Sequence, residues 1–260
     1  MKAGDARQKV DFTHDLVEKG YCVVPNVLDV TMLASLKERL STSELAHTPK
    51  SNFGDSGAFI VADYHNLAIV QLLTWPKTME TLRIMGFPAP KLHNFYVSTK
   101  PPQSAALPWH SDLFYRYDDP APAELFLIYY LSDTTPENGC LRVVPRSHKW
   151  SHDKRHEQPD TPDKRDDEVD VPIRAGDLFI GDRRILHATH ANVTKDWRTC
   201  LTIAYAPLFD QLADPIKALI VRNRCLPPPG WWNASQSTID ARLRGILPIY
   251  AGGAEPIALG

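Results

Sequence analysis

The stretch ELFLIYYL, residues 124–131, is apolar on both of the faces that a β-strand presents. Side chains alternate from one side of a strand to the other, so a half-solvated strand would alternate apolar with polar residues. A strand apolar on both sides is covered on both sides, and 124–131 reads as a central strand with helices packed over one face. From Lys91 onward, further short strand-like runs surround it, at 91–100, 108–115, 140–145, 168–173, 177–181, 185–190 and 198–206, separated by Pro, Gly and Asp/Asn turns. About eight short strands with such punctuation predict a closed or sandwiched antiparallel architecture.

The segment before residue 91 reads differently. Asp11 to Lys19 predicts a short helix stopped by Gly20, and Tyr21 to Val24 a strand closed by Pro25. Asp29 or Thr31 caps a helix carrying Leu33, Leu36 and Leu40 on one face. Residues 51–57 read as a loop, and 66–74 and 76–85 as two helices, with Pro76 in a first turn and Gly86 as the stop. Past residue 207, a helix over 211–222 is expected. The expected organisation is one domain over 1–260: an N-terminal cap to about 90, a β core over about 91–207, and a C-terminal helix and tail over about 208–260.

Within the strand region, Pro108-Trp109-His110-Ser111-Asp112 sets His110 and Asp112 two residues apart, on one face of a strand. His187 lies 77 residues downstream in another strand-like run. Two imidazoles and one carboxylate on one face of an octahedron are the ligand set of non-haem Fe(II) oxygenases, which leaves the opposite face for a chelating cosubstrate and O₂. A structural zinc site would instead complete a tetrahedron of Cys and His. Arg198, eleven residues after His187, opens the apolar run 199–205, where its planar guanidinium could hold a carboxylate through two bonds. His190 competes with His187 because both sit on one run; His187 follows the apolar Ile185 and Leu186.

The segments LPWHSDLFY (107–115), PENGCLRVVPRSHK (136–149) and AGDLFIGDRRILHATHAN (175–192), with Arg198 and the opening phrase EKGYCVVPNVLDVTML (18–33), resemble the phytanoyl-CoA dioxygenase family of Fe(II)/2-oxoglutarate oxygenases. The likeness spans roughly residues 11 to 207. One departure is Arg146, where the family's PGSH turn has Gly.

The resemblance implies a mainly β fold with flanking helices around a double-stranded β-helix, a cupin-like jelly-roll. It implies Fe(II) on His110, Asp112 and His187, with 2-oxoglutarate and O₂ as cosubstrates and succinate and CO₂ as products. In that scheme Arg198 pairs the C5 carboxylate of 2-oxoglutarate with help from the Thr189 hydroxyl, a spacing that also favours His187 over His190. Asn94 and Tyr96, in register on the preceding strand, are candidates to touch the C1 carboxylate, and Trp109 adjoins the ligand strand. Asp112 stands where a Gly or Ala would open a halide site, so hydroxylation or another halide-free oxidation of a small-molecule C–H bond is expected. Two other readings remain: a jelly-roll that binds ligands without turnover, and a cupin-like metalloenzyme that does not use 2-oxoglutarate.

Composition bounds the partners. The chain has 260 residues, 43% of them hydrophobic, a formal net charge of −2 and no run of like charge, so no nucleic-acid footprint is present. No apolar run is long enough to span a membrane and the N-terminus lacks a signal-peptide core. Cys22, Cys140, Cys200 and Cys225 show no CxxC spacing and suit a reducing cytoplasm, with a monomer or small homo-oligomer expected.

Two features bear on the substrate. Residues 151–167, SHDKRHEQPDTPDKRDD, are charged and lack apolar side chains; they read as a long loop, either a lid or a plain surface excursion. Arg142, flanked by apolar neighbours, Arg116 just past the metal strand and Arg146 are candidates to bind an anionic group of a small polar substrate. The competing expectation pairs them with acidic neighbours such as Glu137, Asp118 or Asp182.

Overall fold

A computed structural model describes residues 11–41, 56–61, 67–223, 226 and 241–259. In chain order the elements are α1 (Phe12–Lys19), β1 (Tyr21–Val24), α2 (Val30–Ser41), β2 (Ala58–Val61), α3 (Leu67–Leu72) and α4 (Pro76–Ile84). The strand-rich part follows with β3 (Lys91–Lys100), β4 (Leu107–His110), β5 (Leu125–Tyr130), β6 (Leu141–Val143), α5 (His152–His156), β7 (Val169–Val171), β8 (Leu178–Asp182), β9 (His187–Thr189) and β10 (Arg198–Ala206). Two helices close the chain, α6 (Asp214–Val221) and α7 (Ala241–Gly245).

The strands form two antiparallel sheets, one of six strands in the order β1-β8-β5-β10-β3-β2 and one of four in the order β4-β9-β6-β7. This is the sandwiched antiparallel architecture expected from the strand pattern, and the jelly-roll that the family resemblance implies, with the N-terminal β1 and β2 extending both edges of the larger sheet. The expected loop at 51–57 and the Pro-rich stretch 227–232 fall outside the described residues, apart from Ser56 and Gly57. Among the described residues no helix is long and apolar enough to cross a membrane.

β5 lies inside the larger sheet between β8 and β10, and its two apolar faces serve two cores. Leu125, Leu127, Tyr129 and Leu131 join Leu16, Met32, Leu36, Leu72 and Leu82 under the N-terminal helices. Phe126, Ile128 and Tyr130 face the smaller sheet, meeting its Leu141, Val143 and Val171, with Phe179 of the neighbouring β8 in the same cluster. Burying an apolar side chain of this size contributes about 1.5–3 kcal/mol, so both rows commit the strand to its central place.

Local chemistry sets the element ends. Asp11 accepts the His14 N–H at 3.1 Å as the N-cap of α1, and Gly20 ends that helix at φ +89°. Gly20 also lets the His148 ring close in, since a Cβ there would stand 2.5 Å from His148 Nδ1. In β3 the pairing with β10 slips where Ala204 faces Asn94 and Tyr205 faces Leu92, leaving His93 as the extra residue of a β-bulge. Leu92 and Phe95 therefore both enter the helix-side core while Asn94, Tyr96 and Ser98 turn toward the space between the sheets.

Candidate active site

His110 and His187 face each other directly across β4 and β9, with ring centroids 4.2 Å apart. The 77 residues between them in sequence are closed by strand pairing. Asp112, in the bend after β4, puts Oδ1 3.6 Å from His110 Nε2 and Oδ2 4.0 Å from His187 Nε2. One ligand atom from each of the three lies within 4.8 Å of the other two.

The tautomers are set by the backbone. His110 Nδ1 lies 2.8 Å from the Pro108 carbonyl and His187 Nδ1 3.1 Å from the Ile185 carbonyl, two residues back in each case. A ring that donates from Nδ1 to a carbonyl leaves its Nε2 lone pair for a cation, the arrangement usual around protein-bound metals. Burial, with His110 alongside, pushes the His187 imidazole down to about 4, which keeps it neutral. Burial works to raise the Asp112 carboxyl, but His187, Arg183 and His110 together hold it below the ordinary range. The donor set thus suits a divalent ion of the iron type, with the His187 imidazole neutral and the Asp112 carboxylate ionised. His190 points elsewhere: its Nε2 is 2.6 Å from Asp170 Oδ1.

These three residues line a cavity of about 360 Å³ between the sheets. Arg198 reaches it from β10, 5% exposed, with its guanidinium 5.3 Å from the Tyr130 ring centroid and Nη1 3.4 Å from Cys200 Sγ. Its Nε has no hydrogen-bond partner among the described residues. A buried guanidinium without a carboxylate calls for an anion. Thr189 is on the same wall, its Oγ accepting the Leu107 N–H at 3.3 Å. Asn94 and Tyr96 also line the cavity, and Asn94 Oδ1 is buried without a partner among the described residues.

Other expected contacts are not made. Trp109 faces away from the cavity, as alternation beside His110 requires. It donates from its backbone to Thr161 O at 3.1 Å and from Nε1 to Asp163 O at 2.8 Å. The three arginines assigned to an anionic substrate lie outside the cavity lining and have other partners. Arg142 is clasped by the Glu168 carboxylate and the Pro162 carbonyl (2.7 Å), 4.8 Å from the Trp109 ring centroid. Arg116 pairs at the surface with Asp153 at 2.6 Å. Arg146 stands 3.9 Å from Glu18 in the left-handed region, φ +71°, so the turn keeps the geometry that Gly would favour. None of the partners is Glu137, Asp118 or Asp182. The 151–167 segment begins with α5 and is pinned by Trp109 and Arg142.

A buried network beneath Asp112 was missed by sequence reading. Arg183 lines the cavity and donates to Glu124, which also takes the Tyr115 hydroxyl at 2.8 Å and the ring of His93. Its one available signal was Glu124 itself, a charged residue heading an otherwise apolar strand.

The family model for phytanoyl-CoA dioxygenase (PhyH) matches residues 16–200. Dioxygenase FUM3 of Gibberella moniliformis is 28% identical over 130 residues, 43% of this chain and 41% of that protein. The iron/alpha-ketoglutarate-dependent dioxygenase ausU of Aspergillus calidoustus is 33% identical over 111 residues, 40% of this chain and 35% of that one. The chain thus spans less than half the length of these two curated relatives. The crystal structure of SnoN, a non-heme alpha ketoglutarate dependent epimerase from nogalamycin biosynthesis, superposes with a TM-score of 0.63 at 25% identity, covering 75% of this chain and 81% of SnoN.

Proposed function

The chain belongs to the phytanoyl-CoA dioxygenase family of Fe(II)- and 2-oxoglutarate-dependent oxygenases, and on that premise we propose that it oxidises a C–H bond of a small, uncharged molecule. In this reading His110, Asp112 and His187 hold the iron, and Arg198 with Thr189 holds the distal carboxylate of 2-oxoglutarate. The observation that carries it is the pair of histidines locked by Pro108 and Ile185 carbonyls to present Nε2 beside Asp112, in one cavity with an Arg198 guanidinium whose Nε has no partner among the described residues.

When bound, iron and 2-oxoglutarate supply the activation of O₂, with release of succinate and CO₂. The protein's part is positioning and exclusion of water. Arg198 orients the cosubstrate through a two-point carboxylate bond, and Thr189, whose Oγ already accepts from Leu107, has its proton to donate to the same carboxylate. Tyr130 closes over the guanidinium and, with Ile128 and Leu141, keeps that end of the cavity apolar.

An uncharged substrate is favoured over an anionic one because Arg116, Arg142 and Arg146 are spent on acidic partners elsewhere. Apart from Arg198, the described cationic side chain on the cavity wall is Arg183, balanced by Glu124. Leu107 and Phe114 offer apolar contact, and Ser98 and Thr99 hydroxyls for hydrogen bonding. The test is succinate release with Fe(II) and 2-oxoglutarate over a panel of neutral, anionic and cationic scaffolds, with product mass distinguishing oxygen insertion, desaturation and epimerisation. Stimulation by neutral compounds, lost in His187→Ala, is the expected result. Stimulation confined to anions would overturn the substrate reading, and no 2-oxoglutarate-dependent succinate from any compound would overturn the activity.

A further inference from the structure

A second set of metal-ligating side chains lies behind the cavity wall, where no role has been assigned. Cys140, Asp170 and His190 each offer one ligand atom within 4.8 Å of the other two. Their neighbours Leu141 and Thr189 line the cavity, but none of the three does. Cys140 is fully buried, whereas the side chains of His190 and Asp170 are 27% and 42% exposed, so a cation could enter from solvent and meet the thiol beneath.

The backbone fixes the set before any ligand arrives. Cys140 donates its N–H to Thr135 O at 2.9 Å and accepts the His190 N–H at 3.1 Å, tying the two residues across neighbouring strands. Asp170 is held in β7, paired in register with Arg142 of β6. Arg142 does not compete for the Asp170 carboxylate, because its guanidinium is engaged by Glu168.

We propose that Cys140, Asp170 and His190 form a second metal site, separate from the iron site, for one thiophilic divalent cation of the zinc type. One sulfur, one imidazole nitrogen and one carboxylate oxygen match zinc's preferences, with a water completing the tetrahedron. Thiolate selects against the oxygen-seeking ions, and the facial triad in the cavity contains no sulfur. A thiolate and a carboxylate also balance the two positive charges of the cation. In its absence burial, with Asp170 nearby, pushes the Cys140 thiol up to about 12, so binding must release that proton.

Cobalt(II) is the probe, because its thiolate complexes have a near-ultraviolet charge-transfer band that the His110–Asp112–His187 set cannot produce. In the His110→Ala/His187→Ala variant of the whole 260-residue chain, the expected result is one equivalent of Co(II) with that band, displaced by one equivalent of Zn(II). Adding Cys140→Ser should remove the band. His190→Gln and Asp170→Asn alter partly exposed side chains, and each should weaken binding by about tenfold or more. Cys22→Ser and Cys200→Ser should leave the band in place. Absence of a thiolate band, or a band unchanged by His190→Gln and Asp170→Asn, would overturn the site and leave His190 and Asp170 a simple ion pair.

Discussion

The backbone N–H of Asp112 donates to the carbonyl oxygen of Arg183 at 3.1 Å. The same oxygen accepts the Leu113 N–H and the Ser111 hydroxyl, both at 3.1 Å, so the bend that carries the carboxylate hangs from one atom. Arg183 is itself fixed through its guanidinium to Glu124. Glu124→Gln removes the carboxylate bonded to the buried Arg183 guanidinium, leaving Asp112 as its remaining nearby anion, and should cost up to roughly 3–5 kcal/mol. Denaturant titration checks the stability, and a parallel metal titration should report weakened binding at the Asp112 site.

Lys100 gives a pH signature. Burial, with Arg198 close by, pushes its ammonium down to about 7, although Nζ donates to the Ser56 and Ala105 carbonyls. The unfolded chain keeps that proton to about pH 10.4. From about 7 upward the unfolded state therefore binds more protons than the folded one, and the contribution of this residue to stability rises with pH. Urea midpoints between pH 7 and 9.5 should climb in the wild type relative to Lys100→Met; parallel curves would mean that the two carbonyls keep Lys100 charged.

Arg198→Lys keeps the charge and loses the planar fork. Losing one charge-assisted bond costs about 1.5–3 kcal/mol, or about 10- to 100-fold in affinity. Anaerobic titration of the Fe(II) protein with 2-oxoglutarate should show that weakening while the Fe(II) affinity stays near wild type.

The 151–167 segment should behave as a fixed outer segment and not as a lid. Trp109 and Arg142 hold its backbone at Thr161, Pro162 and Asp163. Limited proteolysis there is expected to be slow in the wild type with or without ligands, and to accelerate in Arg142→Ala, which also strands Glu168. Protection that appears only on adding Fe(II) and 2-oxoglutarate would reinstate the lid.

Arg146 sits at φ +71°, a conformation that costs a residue with a Cβ about 1–2 kcal/mol. Arg146→Gly relieves that strain at the expense of some unfolded-state entropy, and should raise stability by roughly 0.5–1 kcal/mol. The denaturation midpoint at constant m-value checks it.

The sequence by itself determined whatever depends on local periodicity and residue chemistry. The double apolar row of 124–131 made β5 central, and seven of the eight strand-like runs coincide with their strands to within two residues; the run expected over 108–115 stops as β4 at His110, so Asp112 joins the site from a bend and not from the same strand face, while His110, Asp112, His187 and Arg198 carried their chemistry in their side chains. Alternation alone could also have turned Trp109 outward once His110 was taken inward. Only the tertiary structure decided which strands become neighbours. That put His187 and not His190 opposite His110, slipped the register of β3 at His93, and gave Arg142 to Glu168, Arg116 to Asp153 and Arg183 to Glu124. A side chain's facing is set by its two neighbours along the chain, but the partner of a charge is set by whatever long-range pairing brings within a few ångströms, and burial then makes that pairing obligatory.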